Sequence, residues 1–227
     1  YLHPTDRQPS AFFQIPSFLG ATVGDLEDLV AGQVALAGYY CDNLERPSAG
    51  QRYLARPLRY ASGPENTQGN AIDLGDVNVF PLETEKHFSA VEAQCRSVLK
   101  KGARMVLVGG DSSGLKALGI AAQHVIGTGV RVVSLAASAQ DDLSNTTPII
   151  LSVDLQGLAG VWMSQPRRLG GLSPAQMVAQ IEAVAGNAIA AAVFGLAPAM
   201  DDHGRTETQA ALAILQAVKN RLEKGVR

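Results

Sequence analysis

Residues 104–113 read Arg-Met-Val-Leu-Val-Gly-Gly-Asp-Ser-Ser, and this stretch decides the fold class. The short apolar run 104–108 predicts a strand, the paired glycines a tight turn, and residues 113–126 a helix leaving that turn. A buried strand feeding straight into a helix is the repeating unit of a parallel sheet, whose two faces must both be covered. Working back towards the N-terminus, Phe88, Val91, Cys95, Val98 and Leu99 recur at three- and four-residue intervals, which predicts a helix over 84–101. Before it come a glycine-relieved strand edge at 71–79, an Arg-, Pro- and Gly-rich turn entering a helix at 46–59, and a buried first strand at 33–40. Phe12, Phe13, Ile15, Phe18 and Leu19 form an apolar lead expected to pack on the main body.

Towards the C-terminus the alternation continues. Strands are expected at 130–135, 148–154 and 188–196, and helices at 173–185 and 206–224. Ser173 followed by Pro174, with Gln176 three residues on, is a helix-start signature. Ala210, Ile214, Val218 and Leu222 give the last helix its apolar stripe, with Arg221 and Lys224 at the end where positive charge is favoured. The expectation is one domain over 1–227, a three-layer α/β/α sandwich around a mostly parallel sheet, because no linker divides the chain.

Composition narrows the function classes. With 19 Lys and Arg against 21 Asp and Glu, the formal charge of −2 gives no reason to expect binding to nucleic acid or an anionic membrane. The apolar passage 183–199 is interrupted by Gly186, Asn187, Gly195 and Pro198, unlike a membrane span. No basic leader opens the chain, so cytoplasmic residence is expected. Cys41 and Cys95 have no zinc-knuckle or redox spacing and read as small buried hydrophobes. Only four histidines are present, few for a transition-metal cluster.

Several passages, in order, resemble signatures of the ureohydrolase (arginase and agmatinase) family. They are DLGDV at 73–77 after ARPLR at 55–59, GGDSS at 109–113 for the family's GGDHS, VVSLAASAQ at 132–140 for VVHFDAHxD, and LSVDLQGLAG at 151–160 for SxDxDxxDP. GLSPAQ at 171–176 resembles the GGLT helix entry, and residues 194–215 resemble the closing strand, loop and helix. The resemblance implies an arginase-like fold, trimeric or hexameric assembly, and hydrolysis of a guanidinium or amidine by a hydroxide bridging two Mn²⁺ ions. The family's metal ligands, however, fall on Ser112, Ala136, Ser138, Gln140, Asp154 and Gln156, and its site glutamate on Gly195. One carboxylate does not hold two divalent cations, so no metal and no cofactor is expected. Residues 141–148 also replace a much longer family segment, shortening the chain between 140 and 149.

The resulting expectation is a catalytically degenerate ureohydrolase-like subunit, acting through assembly with itself or with a homologous active ureohydrolase subunit. Two alternatives stand beside it: a metal-independent enzyme on an amidine, amide or amino-acid-like metabolite with Asp154 as general base, and a small-molecule sensor. Whether the chain is an enzyme stays open, apart from ordinary dimanganese hydrolysis, which the lost ligands argue against. Asp111, Gly195 and His203 are candidates for the pocket, and Trp162, Arg167 and Arg168 for an interface. Asp111 also reads as a turn anchor accepting backbone hydrogen bonds. The serines at 112, 113, 134 and 138 read as polar filling, and Arg46, Arg52, Arg56 and Arg59 as a helix face paired to nearby acids.

Overall fold

The computed structural model describes residues 15–41, 50–62, 70–78, 80, 83–135, 147–159, 170–184, 187–198 and 206–224. Among the described residues seven strands form one sheet: β1 (Thr22–Val23), β2 (Val34–Gly38), β3 (Ala71–Asp76), β4 (Arg104–Val108), β5 (Arg131–Ser134), β6 (Pro148–Asp154) and β7 (Asn187–Phe194). Their order is β1-β3-β2-β4-β7-β6-β5, and every pair runs parallel. Among the same residues five helices flank the sheet: α1 (Ala55–Ala61), α2 (Thr84–Lys100), α3 (Ser113–Ile126), α4 (Pro174–Ala183) and α5 (Thr206–Lys224).

Strand periodicity explains the layering. Along β4, Val106 and Val108 join a core with Leu58 of α1, Ile181 of α4 and Ile214, Leu215 and Val218 of α5. Met105 and Leu107 point to the other face, where Val91, Cys95 and Val98 of α2 meet Leu118 and Ala121 of α3. Burial on both faces is what an interior parallel strand requires, and all five residues of β2 and of β4 are buried. The α/β sandwich read from the sequence is therefore present. Among the described residues no helix is long and apolar enough to cross a membrane.

Local signals held where they had a chemical cause. Ser173 Oγ accepts from Gln176 N at 3.2 Å and Gln176 Oε1 accepts from Ser173 N at 2.8 Å, with Pro174 opening α4. The predicted bounds of α3, β6 and α5 match those observed. Several other strands are shorter than expected, because pairing stops where the chain turns away: β2 ends at Gly38 rather than residue 40, and β3 at Asp76 rather than residue 79. Phe18 and Leu19 pack as expected, but Ile15 is 61% exposed. Phe12 and Phe13 lie outside the described residues. The edge strand β1, two residues paired to Ile72 and Asp73, has no periodicity by which the sequence could announce it.

Candidate functional site

Parallel strands bring their carboxyl ends to one side of the sheet, and there the loops after β4, β6 and β7 are tied together. Gly109 N donates to Val193 O, Gly110 N to Gln51 O, and Gly195 N to Gly110 O, at 2.8, 3.1 and 3.2 Å. The buried Gln51 side chain returns a hydrogen bond from Nε2 to Gly195 O at 3.3 Å. Asp154 ends β6 and caps the short 3₁₀ turn Leu155–Gly157, its Oδ1 accepting from Gln156 N at 2.9 Å. Gly195 faces that carboxylate closely: a Cβ built there would lie 2.6 Å from Asp154 Oδ1 and 3.1 Å from Gln156 Cγ. Gly195 also has φ +102°, a conformation that side chains other than glycine's rarely adopt. Asp154, Gln156, Gly195 and Gln51 thus form one packed centre. The role of Gln51 was not legible, since its partners are backbone groups far along the chain.

Beside this centre lies a second polar group on the α2 and α3 side. Asp111 is buried; its Oδ1 accepts from Ser113 N at 3.0 Å and from Ser113 Oγ, and its own N–H donates to Cys41 O. The turn-anchor reading of Asp111 fits this geometry. Ser113 is more than filling, because its hydroxyl also meets the Tyr39 phenol at 2.5 Å. Burial pushes the Tyr39 hydroxyl far above its ordinary value, and the carboxylate of Asp111 adds to that while the Ser113 hydrogen bond opposes it. His87, 3% exposed, stacks on Tyr39 with ring centroids 5.5 Å apart. The tyrosine ring needs glycine beside it: a Cβ at Gly110 would lie 2.5 Å from Tyr39 Cδ1. Nothing in the sequence brings Tyr39, His87 and Ser113 together, because each comes from a different element.

Residues 32–137 match the Arginase family. The whole fold is that of several solved relatives. An agmatinase from Burkholderia thailandensis, termed hypothetical, superposes with a TM-score of 0.79 at 17% identity, over 95% of this chain and 92% of its own. Proclavaminate amidino hydrolase from Streptomyces clavuligerus gives 0.78 at 17% identity, over 96% of this chain and 100% of its own. The chain has the arginase fold, and the family match lies mostly in its N-terminal half. A triple mutant of a T. brucei arginase-like protein, in which two serines and an arginine become two aspartates and a histidine, is bound with Mn²⁺; it gives 0.66 at 15% identity, over 92% of this chain and 96% of its own. No curated protein sequence matches this chain.

The arginase fold implies a two-metal centre, and the residues here do not fit one. Among the described residues no group of three or more His, Cys, Asp or Glu side chains is arranged to hold a metal ion. At 195, where the resemblance places the family's site glutamate, a side chain would meet Asp154, whose Oδ1 accepts from the Gln156 backbone. Ser112 and Gln156 supply neutral groups in place of ligands. Ala136, Ser138 and Gln140 lie outside the described residues, and so do His203, Trp162, Arg167 and Arg168.

Within the arginine series Arg59 has the expected pairing to acids, but it is enclosed rather than set on a solvated face. Arg59 is mostly buried, donates to both oxygens of Asp73 at 2.8 and 2.9 Å, reaches Asp76 Oδ1 at 2.5 Å, and lies 4.1 Å from the centre of the Phe18 ring. Arg52 and Arg56 sit over their own exposed tyrosines, Tyr53 and Tyr60. Arg46 is outside the described residues. Cys95 is buried as expected, whereas Cys41 is only half-buried.

Proposed function

We propose that this chain is a catalytically degenerate ureohydrolase-like subunit that acts through assembly, with copies of itself or with a homologous active subunit, in the cytoplasm. The observation that carries the reading is the filled space at Gly195. A site that had merely lost one ligand would keep room for the others, whereas here the surviving carboxylate has been turned into a loop cap. A fold retained without its family's ligand set has its surface left as the working part. The Mn²⁺-bound T. brucei mutant supports the view that, on this fold, a few aspartate and histidine side chains govern whether metal is held. Trp162, Arg167 and Arg168 remain our candidates for the interface.

The alternative in which Asp154 is a general base has less support, because the carboxylate that would take a proton already accepts from Gln156 N. Two measurements test the proposal. Calorimetric titration with Mn²⁺, Ni²⁺ and Zn²⁺ is expected to show no tight stoichiometric site, and two such sites per chain would sink it. Native mass spectrometry is expected to give a multiple of the chain mass, alone or after mixing with an active homologue; a monomer under both conditions would remove the assembly part.

A further inference from the structure

Neither ring nitrogen of the buried His87 makes a hydrogen bond of full geometry among the described residues, although the Asn78 backbone lies close enough to favour the protonated ring. Orphaned buried polar groups are rare in folded proteins, and each one destabilises the closed form by leaving water's hydrogen bonds unreplaced. The place of this one matters. His87 is the fourth residue of α2, in the turn where the helix dipole disfavours positive charge. Glu83, at the N-cap position of α2, makes no side-chain capping bond. The start of the helix is therefore held largely by tertiary packing, and the His87 ring stacked on Tyr39 is a central part of that packing.

We propose that the His87–Tyr39 stack is an acid-released latch, closing the first turn of α2 over the carboxyl ends of β2 and β4 when the imidazole is neutral and freeing it when the ring is protonated. On α2, Glu83, Glu85 and Lys86 are exposed, and Lys86 is occupied by Glu83 at 3.3 Å. From the end of β2 come the Tyr39 phenol and the Cys41 thiol, and from α3 Lys116, which sits over the Phe88 ring. From the β4 turn comes Asp111, with its Oδ1 already held by Ser113. Burial pulls the His87 imidazole below its ordinary value, while the Asn78 carbonyl and, more weakly, the Asp111 carboxylate oppose that pull without reversing it.

The sign follows from linkage. A histidine held neutral in the closed form contributes its full packing above the ordinary value of about 6.5, and that contribution is lost as pH falls below it, because only the open form takes up the proton. The consequence reaches the packed centre, since Tyr39 joins Ser113, Asp111 and the Gly110 turn, and Gly110 O holds Gly195 N.

Hydrogen–deuterium exchange of the full chain at pH 7.5 and 5.0, corrected for intrinsic rates, tests the latch. Peptides covering 83–91 are expected to exchange faster at pH 5.0 by up to about 30-fold, the ceiling set by an open-state imidazole of ordinary pKa, while β7 peptides stay protected. His87→Phe keeps an aromatic stack and His87→Gln a neutral polar side chain; both are expected to lose the acid response. An unchanged wild-type profile, equal loss of protection across β4 and β7, or the same acid response in either variant would overturn the proposal.

Discussion

Gly195 shows how a single residue lets two strand-end loops approach each other. Its φ of +102° and the 2.6 Å separation between a notional Cβ and Asp154 Oδ1 act together. Gly195→Ala is therefore expected to destabilise the chain by about 1–3 kcal/mol from backbone strain alone, read as a lower urea midpoint with an unchanged slope. An unaltered midpoint would mean that the loop relaxes freely. The residue identities at this centre were legible: Ser112, Asp154, Gln156 and Gly195 could be aligned by motif. Their packing was not, because the approach of Gly195 to Asp154 and the hold of Gln51 on Gly195 depend on distant loops meeting. His87 illustrates the same limit, since an apolar-face histidine in a helix looks ordinary until Tyr39 is seen beneath it.

At the scale of elements, Arg59 joins α1 to β3 and to the turn that begins at Phe18. Asp73 accepts from the Arg59 side chain and from Phe18 N at 2.9 Å, and Asp73 is 1% exposed. Removing the guanidinium leaves that carboxylate buried without its counter-charge, so Arg59→Ala is expected to cost about 3–5 kcal/mol, a large part of the stability of an ordinary domain. Arg59→Lys is expected to recover only part of it, because an ammonium cannot reproduce the two-pronged contact. Denaturant unfolding of both variants checks this, and equal stability of Arg59→Lys and wild type would contradict it. Such joints explain why helix and strand periods were readable while the arginine series was not. Periodicity reports which face is buried; it says nothing about which arginine finds two aspartates from another strand.

For the whole molecule, two cores share one sheet, so neither has a structural reason to unfold alone. Cys95 reports on this: it is fully enclosed in the α2 and α3 core, and burial pushes its thiol well above the ordinary range. With a thiol-reactive dye, the half-buried Cys41 is expected to react first and Cys95 only on unfolding, with the same urea midpoint as the loss of helical circular dichroism. Separate midpoints would show that the two layers come apart independently. The alternation of apolar strands and striped helices, the strand-end glycines and the missing ligand side chains were all present in the sequence, because local period and residue identity are written along the chain. The approach of Gly195 to Asp154, the enclosure of Arg59 against Asp73, and the stacking of His87 on Tyr39 came from tertiary structure alone, since each is a contact between side chains or loops that only the folded sheet brings together.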